Sequence, residues 1–363
     1  MERAAGTRDA LRRDVLAVAT FAVVAIGVLT WAKWNPYSHK LPAAIADPHA
    51  GPSVLLDADG VTPEVSWRAG WEFATGYLAA VWPALVAGLV LAAMVETVLP
   101  RRWLAAALRP GTRGNAGAAV LALPSMMCTC CAAPVAVALR RRRIALAPAL
   151  TWWVANPALN PFALALCTVV LGWDWAALRA VAGLALVALV TRSAARLDRR
   201  EGPPATRLVD DDGGATTGTG AAAASPDTGT DPGRFFRALV RSIMRLAPEY
   251  AVLLLALGAL RGHIPPVADG LGGWAPVAVV LVALAATLIA VPTAGEVAVV
   301  AALLSADVPA TVAAAVLIPL PAVSLPSLVV LRRHVPARLL VDVAGLTVAL
   351  GVLTAAAAWV IGL

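Results

Sequence analysis

Residues 113–143 read RGNAGAAVLALPSMMCTCCAAPVAVALRRRR. The stretch is uncharged over 114–139. Arg101, Arg102, Arg109 and Arg113 precede it, and four consecutive arginines, Arg140 to Arg143, follow. Arginine-rich loops mark the cytoplasmic face of a membrane. An apolar segment held on that face at both ends goes in and comes back, so 114–139 reads as a re-entrant hairpin. The alternative, one more full crossing, would strand residues 140–143 outside. The hairpin's turn holds three of the chain's four cysteines: Cys128, Cys130 and Cys131.

The remaining sequence also calls for a bilayer. It is 60% hydrophobic and 14% charged, against about 25% charged residues in soluble domains. Further uncharged apolar runs cover 15–32, 73–95, 144–173, 270–295, 308–331 and 343–363. A crossing helix needs about 18 such residues. The pI of 9.9 would suit a nucleic-acid binder, but the arginines sit in short loops beside apolar runs, which excludes that class. The first run is longer than the ~7–15-residue core of a signal peptide, so an uncleaved first span is expected.

Residues 192–233 depart from this pattern, with Gly-Pro-Pro, three consecutive aspartates and a Gly/Thr/Ala-rich tract. Such a composition buries no core and is expected to be a disordered cytoplasmic linker. The domain plan is then an N-terminal helix and external loop (1–70), a first membrane repeat (71–191), the linker, and a second repeat (234–363). A helix at 144–171 follows the first hairpin. The second half is expected to run the same plan upside down, with a helix at 246–260, a hairpin over 274–304 turning at VPTAGE (291–296), and helices at 309–331 and 339–363. APVAVALRRRRIALAP from Ala133 parallels EVAVVAALLSADVP from Glu296, and NPALNP from Asn156 parallels LPAVSLP from Leu320. Inverted repeats with broken helices place a substrate near the midplane, where the breaks meet. The predicted fold class is an all-α integral membrane protein, a polytopic helical bundle of two inverted-topology repeats with re-entrant or broken helices. The expected location is the plasma (inner) membrane, with the N-terminus and linker cytoplasmic.

Depth singles out the chemistry. From Gly117 to Cys128 a helix rises ~16 Å, about half the ~30 Å hydrocarbon core. From Ile144 to Asn156 it rises ~18 Å. The cysteine turn and Asn156 therefore reach one level from one side. Asn156 and Asn160 share a face if their helix stays regular. Thiolates prefer soft ions such as Cu(I), zinc or thiophilic metalloids, so Cys128, Cys130 and Cys131 are candidate ligands for a metal or substrate. His39, His49, His263 and His334 lie in loops or at span ends, which disfavours a structural zinc site. Glu296 follows the second turn. If it lies in the membrane, it could carry a proton or counter a cation. Ser324 is the second-half counterpart of Asn160. Cys167 is nearer the outer surface and weaker. The span-end tryptophans, including Trp34, read as interfacial anchors.

At these residues the sequence resembles the predicted-permease family that includes the ArsP-type organoarsenical efflux permeases. Cys128 and Cys130 match its C-x-C turn, with Cys131 where glycine is usual. Pro134 matches a following proline, and residues 157–161 match P-A-x-N-P. Thr293-Ala294-Gly295 resembles the family's small-residue turn, and Ser324 replaces an asparagine. The resemblance implies an inner-membrane efflux permease whose cysteines bind trivalent arsenicals.

Three functions remain open on the sequence. The first is a permease exporting a thiophilic solute by alternating access, with Cys128, Cys130 and Cys131 capturing it, Asn156, Asn160 and Ser324 shaping the pocket, and Glu296 coupling protons. No G-x-x-x-x-G-K-[ST] motif is present, so a gradient would drive it. The second is a membrane thiol–disulfide oxidoreductase using Cys128 and Cys131. The third is a scaffold with inert cysteines. The expected partners are the lipid bilayer, a small-molecule or metalloid substrate and a second copy in a homo-oligomer. No resident cofactor and no nucleic acid are expected.

Overall fold

A computed structural model describes residues 2–47, 65–201, 232–260 and 275–363, and the described residues contain helices and no strand. Among them, seven helices are long and apolar enough to cross a membrane. Val23, Val181, Leu184, Val341, Leu353 and Trp359 lie exposed along these helices, an apolar surface suited to lipid. The chain is an all-α membrane protein.

The first helix was expected over 15–33. Instead α1 (Glu2–Leu29) passes through one π turn (Thr30–Trp34) into α2 (Asn35–Ala46). Pro36 has no N–H for the carbonyl four residues back, and a π turn accommodates that loss without ending the helix. Lys33 and Trp34, assigned to the outer end, therefore lie mid-helix. α3 (Trp67–Thr97) begins at Ser66, whose hydroxyl accepts from Ala69 N–H at 3.1 Å. A short α4 (Arg101–Ala107) leads to α5 (Thr112–Ala122) and α6 (Thr129–Arg141).

α5 and α6 are each too short to cross. The segment enters and leaves at the same end of the bundle. α4 and α5 follow directly from the end of α3, and after α6 the Arg142 guanidinium returns to the Leu99 carbonyl. Arg141 Nη1 lies 2.9 Å from Glu96 Oε1, and Arg140 Nε donates to His334 O at 3.3 Å. Asp198 accepts from Leu146 N–H and Ala147 N–H at 2.9 and 2.8 Å, bringing the start of the next helix to this end.

The helix expected over 144–171 is broken into α7 (Leu146–Ala158) and α8 (Pro161–Val170). Pro161 pushes Asn160 out of the helical region and supplies no N–H. Asn160 instead caps α8, its Oδ1 accepting from Phe162 N–H and Ala163 N–H at 3.1 and 3.2 Å. α9 (Trp173–Glu201) continues past Arg192, so the start of the expected linker is helical, and residues 202–231 lie outside the described residues.

The second half repeats this order: α10 (Pro232–Leu260), two half-length helices α11 (Ala275–Ala286) and α12 (Gly295–Ser305), a broken helix, and the long α16 (Ala337–Ile361). Prolines divide the broken helix, expected whole over 309–331, into α13 (Ala310–Val316), α14 (Pro319–Ala322) and α15 (Leu325–Leu331). α3 packs along α10, α6 lies between α3 and α7, and α9 meets α16.

Candidate functional site

The cysteine turn is built by interruptions in the backbone. After α5 a single 3-10 turn (Leu123–Ser125) leads to Met126 in the left-handed region (φ 46°), and Cys128 is the extended residue before α6. Asn156 holds this turn in place. Its Oδ1 accepts from the Ser125 hydroxyl and, at 3.3 Å, from Met127 N–H, while its Nδ2 donates to Trp152 O at 2.9 Å. The cysteine turn and α7 thus meet at one level.

The three sulfurs converge. Cys128 Sγ lies 3.0 Å from Cys131 Sγ and 3.5 Å from Cys130 Sγ, and all three fall within 4.8 Å of one another. All three residues are buried, with free thiols. Tyr77 Oη lies 3.3 Å from Cys130 Sγ, and Trp153 Nε1 donates to Thr129 O at 3.0 Å. Gly88 of α3 sits against the cluster, where a Cβ would come 2.3 Å from Cys131 O. Cys167 is buried in a separate hydrophobic cluster and does not join the sulfurs.

One rule accounts for the polar groups around the site. A proline denies its hydrogen bond to the carbonyl four residues earlier. Pro134 frees Cys130 O, which accepts from Tyr250 Oη at 2.7 Å. Pro161 frees Pro157 O and Pro321 frees Leu317 O. Arg179 takes both, Nη2 donating to Pro157 O at 3.1 Å and Nη1 to Leu317 O at 3.2 Å. One side chain on α9 therefore ties together the broken helices of both halves.

Arg179 also pairs with Glu296, in the first turn of α12. Nη2 lies 2.8 Å from Oε1, and both side chains are 0% exposed. Glu296 had two readings on the sequence, and the structure places it inside. The contact is an ion pair without hydrogen-bond alignment, and Arg179 Nε has no acceptor. Asn160 Nδ2, also buried, has no partner either. These groups border a narrow cavity between the two turns, with room for about one water molecule, whose lining includes Cys128, Asn160, Arg179, Thr293, Glu296 and Pro321.

The π turn of the first helix closes over this region. Lys33, 4% exposed, donates from Nζ to Thr293 Oγ1 at 2.8 Å and to Tyr37 Oη at 3.0 Å. Trp34 Nε1 donates to Pro124 O at 2.7 Å, at the cysteine turn, and Tyr37 stacks on Phe162 with centroids 3.8 Å apart.

The candidate residues thus divide. Cys128, Cys130 and Cys131 cluster, and Asn160 and Glu296 face the cavity. Asn156 shares no face with Asn160, because the helix breaks between them, and its amide is spent on the cysteine turn. Ser324 caps α15 in a reciprocal arrangement with Ser327, as Asn160 caps α8, but does not line the cavity. Sequence reasoning missed Arg179, Lys33, Tyr77 and Tyr250. The signals were available: Arg179 is a charge within an otherwise apolar span, and all three tyrosines of the chain border the site.

A wider cleft opens at the arginine-rich end between α6, α10 and α15. It is edged by Glu96, Arg141, Glu249 and Arg333, and its lining reaches Pro134, one turn from the sulfurs.

Comparison with known proteins gives two matches. The model of the ArsP_1 family, described as predicted permease, matches residues 67–360. The UPF0718 protein YraQ of Escherichia coli K12 is 36% identical over 327 residues, covering 89% of each chain. No solved structure matches.

Proposed function

The chain belongs to the ArsP_1 family of predicted permeases, and on that premise we propose that it exports a small thiophilic solute, such as a trivalent organoarsenical or another soft metal or metalloid species. That it is a multi-pass membrane transporter follows from the family and the seven apolar helices.

The observation that supports the cargo is the sulfur trio, buried with its sulfurs within 4.8 Å of one another, of which Cys128 borders a cavity between two broken helices. Three convergent thiols suit a soft, thiophilic centre. Broken helices at mid-depth, in halves taken as inverted repeats, suit alternating access. The arginine-edged cleft serves as the cytoplasmic approach to Cys128, Cys130 and Cys131, so transport runs outward across the inner membrane and gives metalloid resistance. Glu296 couples the step to protons, its carboxylate released from Arg179 in part of the cycle. Asn156 and Ser324 act by holding the two turns in shape, and Asn160 lines the pocket.

The 3.0 Å contact between Cys128 and Cys131 also favours a second reading, a thiol–disulfide relay. Alkylation of the purified full chain separates the two. The permease reading expects arsenite to slow labelling of the three thiols under reducing conditions, with no disulfide accumulating during turnover. Cycling between two free thiols and a Cys128–Cys131 disulfide, without protection by solute, would favour the relay and overturn the permease reading.

A further inference from the structure

Cys128 lines the cavity between the two turns, and Asn160, Arg179 and Glu296, which line it too, carry polar atoms left without a hydrogen-bond partner. Asn160 Nδ2 and Arg179 Nε are buried without partners, and Glu296, paired to Arg179 through Oε1, keeps Oε2 without a side-chain partner. Leaving a buried donor or acceptor unmet is costly, more so for a charged group. Here several such groups on three elements of both halves converge on the cavity that Cys128 lines. Their environment is otherwise well ordered. Asn160 Oδ1 meets two N–H groups and the Arg179 Nη atoms meet two carbonyls, so each side chain is fixed and presents only its remaining valence.

We infer that the cavity is a two-sided binding site whose ligand carries both a soft centre for Cys128 and an oxygen group for Asn160, Arg179 and Glu296. This rests on the thiophilic reading above and narrows it. The ligand class is a soft electrophile that keeps a hydroxyl after thiol capture. Asn160 Nδ2 and Arg179 Nε donate to the hydroxyl oxygen, and Glu296 accepts its proton in a hydrogen bond. A bare soft cation, or a centre bearing only carbon, fills the sulfur side and leaves the polar side unmet. For arsenite the capture step balances as follows. Two thiols condense with As(OH)3, forming two S–As bonds and breaking two As–O bonds. Each departing hydroxyl leaves as water with a thiol proton. Arsenic stays trivalent and retains one hydroxyl, because Cys130, whose sulfur meets Tyr77 Oη at 3.3 Å, stays out of the condensation. Cys128 and Cys131, 3.0 Å apart, are the pair nearest each other to supply the thiols.

The test compares two probes on the full chain in lipid nanodiscs by isothermal titration: arsenite, which keeps a hydroxyl, and methylmercury, which does not. Asn160→Ser retains a helix-capping oxygen and removes the free donor. It is expected to weaken arsenite binding about fivefold, the scale of one hydrogen bond, with methylmercury unchanged within about twofold. The double change Arg179→Met/Glu296→Leu removes both charges together, so neither is stranded, although Pro157 O and Leu317 O lose their donor. It should weaken arsenite about tenfold or more and again spare methylmercury. Equal losses for both probes, or no loss for arsenite, overturn the two-sided site. Cys128→Ser serves as the separate control. If it leaves both probes unaffected, the thiophilic reading itself fails, whatever the polar variants do.

Discussion

Arg179 Nη2 lies 2.8 Å from Glu296 Oε1, and neither side chain has any exposed surface. Arg179 belongs to the first half of the chain and Glu296 to the second. The same guanidinium satisfies a proline-freed carbonyl in each broken helix. The contact is therefore the main electrostatic joint between the halves, and breaking one partner strands a charge in a low-dielectric interior.

Arg179→Ala should destabilise the protein by about 3–5 kcal/mol, the usual cost of orphaning one member of a buried pair. The double change Arg179→Met/Glu296→Leu should recover only the part due to the stranded carboxylate, because Pro157 O and Leu317 O still lose their donor. Thermal unfolding in detergent measures both. A single variant as stable as wild type would show that the pair carries no structural weight.

Gly88 makes a different kind of prediction, steric rather than electrostatic. A Cβ there meets Cys131 O at 2.3 Å, and a backbone carbonyl cannot swing aside. Gly88→Ala should push α3 off α6, cost about 1–3 kcal/mol and lower the melting temperature. It should also displace Tyr77 from Cys130, visible as faster alkylation of Cys130.

Asn156 holds the cysteine turn through one carbonyl oxygen. Asn156→Ala leaves the Met127 N–H unmet, at a cost of about 1–3 kcal/mol, while the Ser125 hydroxyl keeps Ala122 O as its acceptor. Arsenite binding should weaken through loss of thiol geometry, and methylmercury, which needs one sulfur, should be affected less. Equal weakening of both would mean that Asn156 shapes more than the turn.

Tyr250→Phe removes the donor to Cys130 O and leaves that carbonyl buried and unpaired, at a cost of about 1–3 kcal/mol. Because α10 also walls the arginine-edged cleft, charged methanethiosulfonate reagents should reach the thiols faster from the arginine-rich side. Unchanged labelling would detach the cleft from the sulfur site.

Much of this arrangement was legible in the chain, for definable reasons. Apolar runs and arginine clusters gave the membrane class, because a bilayer penalises charge so strongly that it writes itself into composition. The half-length hairpin of α5 and α6 followed from the basic residues on both its flanks. Cysteine spacing pointed to the sulfur cluster, whose members are close in sequence. What stayed hidden depends on partners far apart along the chain. Pro161 and Pro321 announce that carbonyls are freed, but not that Arg179 takes both. The break between Asn156 and Asn160 separates two residues that a regular helix would align. Lys33 looked like a loop charge because the uncharged run ends at Ala32, where the backbone instead made a π turn and continued to Ala46.

The central claim is that Cys128, Cys130 and Cys131 hold a thiophilic solute that the protein carries across the membrane. Everted vesicles loaded with wild type, Cys128→Ser or Cys130→Ser, and given a panel of thiophilic solutes under an imposed proton gradient, test it most directly. The account predicts uptake of at least one solute by wild type and its loss in both cysteine variants. Equal uptake by wild type and both variants would contradict it.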